Sequence, residues 1–443
     1  MNVEQQIAEL SQRIDDVIQL ALKGGATQAE ASISKVQGIS VGTRLREVET
    51  LEYTNDGALG ITVYCGKRKG SASTADLSQQ ALQQTVEKAI QIARYTSEDE
   101  CAGLADAEML ERKPLDLGLY FADPLDPGRA IELAIEAESA ALDADSRIIN
   151  SDGASYSGNQ GVRVYGNSNQ FIAGYPSSRY SLSCVVIGQD GEEMQRDYSY
   201  DVSRDPSKLA AAAQIGREAA EFTVAHLNPR KVPTGKYPVL FHSSVAAGIF
   251  GHMVSAISGG SLYRKSTFLL DHLGKQILPD WCQVNERPHI VGALASSPYD
   301  AEGVQTRDMD IIKDGVLQHY LLTSYSGRKL GMQTNGHAGG IHNWQIGSTG
   351  EDYQALLKKL GTGLVVTELM GQGVNIVNGD YSRGAAGFWV ENGVIQYPVA
   401  EITIAGNLRD MLLNMQGIGT DLDIRSSIVT GSVLIESMQV AGH

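Results

Sequence analysis

Apolar residues Ile7, Leu10, Ile14, Val17, Ile18 and Ala21 recur at three- and four-residue spacing and stop at Gly24-Gly25, which predicts an amphipathic helix ended by glycine. From about Ala31 to Ser73 the pattern changes to short alternating runs, broken at Asn55-Asp56-Gly57 and from Gly66 to Gly70, as antiparallel strands joined by hairpins require. Asp76 with Gln79 three residues on resembles a capping box, and Leu77, Ala81, Val86, Ala89, Ile90 and Ala93 carry a second helix to about Arg94. A third spans roughly Pro127 to Leu142. Strands return from Arg147 to Tyr200, separated at Ser151-Asp152-Gly153, Gly158 to Gly161, Gly166 to Asn169 and Gly188 to Gly191. Asp205-Pro206 supplies a cap and a first-turn proline for a helix ending near Leu227.

The segment from Asn228 to Gly235 mixes two prolines, a glycine and two charges without periodicity, so a linker is placed at about 228–236. Residues 1–228 then form an N-terminal α+β domain with helices on an antiparallel-rich sheet. Residues 236–443 form a β-dominated, barrel-like domain that opens with a strand from Tyr237 to Phe241 and a helix from Ser243 to Ile257. Two stretches of that domain read as strand, tight turn, strand, around Asp314-Gly315 and Asn392-Gly393. Both pairs readily adopt the positive backbone angles of a type I′ turn, so the likeness needs no internal repeat.

A chain of 443 residues exceeds what one hydrophobic core normally serves, which agrees with two domains. Its 42% hydrophobic and 20% charged residues are those of a folded globular protein. With 36 basic against 52 acidic residues the formal charge is -16, which repels a phosphate backbone and argues against nucleic acid as a direct partner. The basic run Lys67-Arg68-Lys69 falls in an expected hairpin tip and reads as solvated. Cys65, Cys101, Cys184 and Cys282 form no CxxC pair, so neither a disulfide framework nor a thiolate metal site is signalled. Acidic residues between Met1 and Leu22 do not suit a secretory or transit peptide, and no apolar run is long enough to span a membrane; the expected location is the cytoplasm.

Several local motifs lack the context that their chemistry needs. Gly38-Ile39-Ser40-Val41-Gly42 matches a nucleophile elbow in letters, but extended sequence continues on both sides, with no sharp turn to expose Ser40. Gly371-Gln372-Gly373 and the glycines from Gly379 to Gly387 are followed by neither Gly-Lys-Ser/Thr nor a helix, so they do not make a phosphate cradle. His337 and His342 share a glycine-rich loop where two imidazoles can approach one metal. No third ligand is evident near them in sequence, and ordinary loop or interface histidines are the preferred reading.

The segment from Tyr237 to Leu270, including Gly259-Gly260-Ser261-Leu262-Tyr263-Arg264-Lys265-Ser266-Thr267, resembles the TldD/PmbA family, and its PmbA (TldE) branch more than its TldD branch. The likeness extends over the whole chain, through Glu391-Asn392-Gly393 and the run from Tyr397 to Glu401, with no single short motif carrying it. It implies a two-subunit metallopeptidase for unfolded or small peptides, in which a TldD-like chain carries an H-E-x-x-x-H helix and pairs with a TldE-like chain. In that motif two histidines bind zinc and the glutamate acts on metal-bound water. Laid on this sequence, the motif puts His252 at the first histidine, Met253 at the glutamate and Ile257 at the second histidine. The family's late cysteine ligand has no counterpart after Cys282.

A thioether and a branched alkyl group supply neither the base nor the ligand, so the resemblance implies no zinc and no catalytic residue in this chain. His252 follows Val245 and Ile249 at helical spacing, which fits a packing role. The expected partner is a TldD-like subunit that holds the zinc; whether the isolated chain forms a homodimer when that partner is missing stays open. Ser261, Tyr263, Arg264 and Lys265 are the candidate peptide contacts, because glycines beside an aromatic and two cations suit a peptide backbone or carboxylate. Two other readings stay open. One is a self-sufficient peptidase using His337, His342 or His252; the other is a non-enzymatic protein-binding regulator, since the family has been labelled a modulator of DNA gyrase.

Overall fold

The computed structural model describes residues 2–442. The first helix, α1 (Val3–Lys23), is capped by the Asn2 side chain and buries Leu10, Ile14, Val17, Ile18 and Ala21, the stripe its periodicity sets out. There follow β1 (Gln28–Arg44), β2 (Glu47–Cys65), β3 (Arg68–Thr74), α2 (Gln79–Tyr95), α3 (Pro127–Leu142), β4 (Ile148–Asn167), β5 (Phe171–Asp190), β6 (Glu193–Ser203) and α4 (Ala212–Ala225). The strands form one sheet in the order β3-β2-β1-β4-β5-β6, antiparallel at every pairing. Alternation decides where the helices go. On β1 the buried Ala29, Ala31 and Ile33 pack beneath α1 and α2, while Ile39 and Val41, of the same parity, pack beneath α3 and α4. All four helices therefore cover one face.

Three expectations for this half need correction. β2 runs unbroken through Asn55-Asp56-Gly57, and β4 runs through both Ser151-Asp152-Gly153 and Gly158 to Gly161. In β4 two of these glycines are steric necessities: a Cβ on Gly153 would stand 2.3 Å from the Thr43 carbonyl oxygen, and one on Gly161 2.5 Å from that of Lys35. The cap of α2 is Ser78, accepting from the Ala81 N–H, in place of Asp76. Asp205-Pro206 opens only a short 3₁₀ turn ahead of α4.

The turn that does join β1 to β2 is Leu45-Arg46, with φ of 52° and 68°. Neither residue favours that region, and the fully buried Glu138 of α3 compensates by accepting both backbone N–H groups, at 2.7 and 2.8 Å.

The sheet's other face, through Tyr165 and Phe171, packs on Ala105, Leu110, Tyr299 and Val304. There Glu30 accepts from the hydroxyls of Tyr165 and Tyr64, and burial raises its pKa.

Beyond residue 234 the chain builds β7 (Gly235–Phe241), α5 (Ser243–Ala256), α6 (Gly259–Tyr263), β8 (Val284–Glu286), β9 (Met309–Lys313), β10 (Val316–Leu317), α7 (Ser324–Leu330) and β11 (Trp344–Ile346). It continues with α8 (Tyr353–Leu360), β12 (Gly363–Met370), β13 (Val374–Asn375), β14 (Asp380–Glu391), β15 (Val394–Asn407), α9 (Leu408–Leu413), β16 (Met415–Ile418), β17 (Ile428–Val429) and β18 (Val433–Ala441). Strands β12-β7-β18-β15-β14 pair in sequence and β14 pairs back to β12, closing a five-stranded barrel and leaving no free edge among them. A smaller sheet, β10-β9-β8-β11-β17, lies alongside. The α+β class with a barrel-like C-terminal region holds. Both expected tight turns are present, with φ of 51° and 74° at Asp314-Gly315 and 53° and 75° at Asn392-Gly393. No helix among the described residues is long and apolar enough to cross a membrane.

Candidate functional site

Helix α5 enters the largest apolar cluster of the protein. Its Ala246, Ile249, Phe250, Met253 and Ala256 pack there with barrel residues such as Ile404, Val433 and Ile435. Met253 and Ile257 are both 0% exposed, and Ile257 is the helix's C-terminal cap. Each contributes roughly 1.5–3 kcal/mol of apolar burial. His252 is half-buried and meets the Tyr381 ring edge to face. Burial first, and then the Arg383 guanidinium, lowers its pKa. A zinc ion does not fit this place: the carboxylate and second imidazole are absent, their positions are filled by core side chains, and a fixed cation stands nearby.

The candidate contact loop is more ordered than its glycines suggest. Ser258 caps the short helix α6 by accepting from the Ser261 N–H, and Ser261 is itself 6% exposed. Of the four candidate peptide contacts, Ser261 is thus turned into the fold, Tyr263 is half-buried, and Arg264 and Lys265 are exposed. Arg264 lies over the Tyr263 ring and donates to its hydroxyl at 3.1 Å. Tyr263 in turn meets Tyr325 of α7 edge to face at 5.7 Å. Val254, Ser258, Gly260, Tyr263, Tyr325 and His337 line a cavity of about 280 Å³ beside the end of α5. A binding cleft for a short segment of chain is the chemistry this arrangement offers.

His337 and His342, separate in the sequence reading, converge. Gly336, Gly339 and Gly340 have φ of 85°, 99° and 123°, and these positive angles curl the loop so that both imidazoles meet one carboxylate. That carboxylate is Glu286, roughly fifty residues upstream; the sequence reading named no third ligand, because the pairing of β8 with β11 brings it in. Glu286 Oε1 lies 3.0 Å from His337 Nε2 and 3.2 Å from His342 Nδ1, and Oε2 accepts from the Trp344 indole N–H at 2.8 Å. Burial acts to raise the Glu286 pKa, but the two imidazoles outweigh it and hold the carboxyl down to about 2. The side chains of Glu286, His337 and His342 are 2%, 1% and 8% exposed.

Ser40 lies within β1, away from any strand-to-helix turn. Lys67 belongs to the turn between β2 and β3, at which Arg68 and Lys69 begin β3.

Comparison with known proteins gives one consistent result. Models of the first, central and C-terminal domains of the PmbA/TldA metallopeptidases match residues 29–93, 122–227 and 234–442. A protein named Metalloprotease PmbA homolog from Haemophilus influenzae is 56% identical over 437 residues, 98% of this chain and 96% of that one. Metalloprotease PmbA of Escherichia coli O157:H7 is 55% identical over 441 residues, covering 100% of this chain and 98% of its own. Among solved structures, a Bacteroides thetaiotaomicron protein named for modulation of DNA gyrase superposes with a TM-score of 0.93 at 29% identity, over 98% of this chain and 99% of that one. TldE of Thermococcus kodakarensis shares the fold, with a TM-score of 0.86 at 20% identity over 97% of this chain and 100% of its own.

Proposed function

The chain belongs to the PmbA/TldA metallopeptidase family, and from that membership we propose that it acts as the TldE-like subunit of a two-component peptidase for unfolded or small peptides. In this reading a TldD-like partner holds the hydrolytic zinc, while this chain stabilises that partner and shapes or closes the peptide groove. The observation that carries it is the environment of Met253 and Ile257. Both positions of the metal motif beyond His252 lie wholly inside the barrel's apolar cluster, where a hydrolytic ion would find no ligand and no water. The cleft beside α6, with the exposed Arg264 braced on Tyr263 of its lining, is the surface that would meet peptide. That cation suits a C-terminal carboxylate, and the cleft's tyrosines suit an extended backbone.

A self-sufficient peptidase is the weaker reading. The only convergent histidine pair among the described residues surrounds a carboxylate that is 2% exposed, whereas a hydrolytic metal needs a position open to substrate. Co-expression with a TldD-like chain followed by native mass measurement tests the partnership: a defined complex of both chains is expected, and two species that never associate would overturn it.

A further inference from the structure

The hydrogen bonds around His337 impose a constraint that its neighbours do not satisfy. Asn335 Nδ2 donates to the Tyr320 carbonyl at 2.7 Å and its Oδ1 accepts from the Leu322 N–H at 2.8 Å, so the amide can be oriented in only one way. His337 Nδ1 lies 2.8 Å from that same Oδ1 and must carry a proton in order to donate to it. In a neutral ring Nε2 is then bare, and it sits 3.0 Å from a carboxylate oxygen. With Nε2 bare, neither group offers the other a proton, and the buried pair is left without a cation or donor beside it. A second ring proton would serve only if it pointed at an acceptor. Yet Nε2 is buried and has no aligned hydrogen-bond partner, despite the short separation from Glu286.

We propose that Glu286, His337 and His342 form a buried, non-hydrolytic site for one divalent transition-metal ion of the zinc type, distinct from the motif positions on α5. Two imidazole nitrogens and one carboxylate oxygen are a zinc-type donor set. Their ligating atoms all lie within 4.8 Å of one another. The observed separations of 3.0 and 3.2 Å compare with roughly 3.3 Å between neighbouring donors in a tetrahedral site with bonds of about 2.0 Å.

The surrounding groups do what outer-shell partners of a metal do. Trp344 fixes the second carboxylate oxygen, and Asn335 fixes the His337 tautomer so that Nε2 presents its lone pair. The ion would pin the 335–343 loop to β8 and so hold His337 in the wall of the peptide cleft. This departs from the expectation that the chain carries no metal, and it is independent of the proposal that α5 carries no hydrolytic centre.

The test uses the full chain, stripped with a chelator, dialysed and titrated with Zn²⁺ or Co²⁺ alone. One equivalent is expected to bind and to raise the melting temperature, with visible Co²⁺ bands. Zinc-edge X-ray absorption of the wild-type protein should count two imidazoles, oxygen donors and no sulfur. Glu286→Gln and His342→Gln should lose the equivalent, Trp344→Phe should weaken it by about 10- to 100-fold, and His252→Gln should keep it. Absence of stoichiometric binding and of any melting shift in the wild type would overturn the proposal. So would a different donor count, or unchanged affinity in Glu286→Gln. Where a variant fails to fold, the wild-type donor count decides.

Discussion

His252 meets Tyr381 edge to face, with ring centroids 6.0 Å apart and planes inclined at 76°. An imidazole held this way, with burial and Arg383 both favouring its neutral form, packs against the barrel, and the proposed division of labour gives it no part in the chemistry. His252→Gln is therefore expected to leave peptide digestion by the complex with a TldD-like chain within about twofold of wild type. A loss of several orders of magnitude in kcat, with binding between the subunits intact, would place His252 at the reacting centre.

Met253 tests whether the motif could be restored. Met253→Glu puts a carboxylate at a position that is 0% exposed and surrounded by apolar side chains. Denaturant melts should show a loss of roughly 3 kcal/mol or more, since an unpaired buried charge is among the costliest substitutions. Met253→Leu, which conserves volume, should cost less than about 1.5 kcal/mol. Near-equal stability of the two variants would mean that this side of α5 is open to water.

Arg264 bears on the cleft. Its guanidinium is exposed and braced on Tyr263, so Arg264→Ala should raise the KM of the two-chain complex for short peptides while leaving kcat close to wild type. An unchanged KM would place the peptide elsewhere.

Asp300 gives the protein a pH dependence of definite sign. The residue is 3% exposed; burial, and then the Glu302 charge, push its carboxyl up to about 7, although the backbone N–H groups of Ala338, Val304 and Glu302 donate to it. In the unfolded chain this group has its ordinary value of 3.8, so between about pH 4 and pH 7 the native state holds a proton that the unfolded state has released. Its contribution to stability is full below that window, falls as pH rises through it and is flat above it. Denaturant midpoints of wild type and Asp300→Asn, compared across the window, should differ in slope by this falling component. Parallel profiles would show that Asp300 titrates normally.

Much of the fold was legible where one period dominates. The stripe of α1, the span of α3 and the Asp314-Gly315 and Asn392-Gly393 turns follow directly from spacing and turn chemistry. The misplaced strand breaks and the missed carboxylate have a common physical source in long-range contact. Gly153 and Gly161 in β4 resemble punctuation until the neighbouring strand β1 shows why no side chain fits, and Leu45-Arg46 is held as a turn by Glu138 of α3, which accepts its N–H groups. Glu286 belongs to the same class. A three-residue strand reveals nothing of the loop it faces until Trp344 is paired opposite it. At the other candidate position the sequence was more informative, because the apolar character of Met253 and Ile257 is already present in their side chains.

The division of labour between two chains is tested most directly by a peptide digestion assay on three samples of equal concentration: this chain, a TldD-like chain and their mixture. Full hydrolysis in the mixture is predicted, with none from this chain alone and markedly less from the TldD-like chain alone. Hydrolysis by this chain without any partner, or undiminished hydrolysis by the TldD-like chain alone, would contradict it.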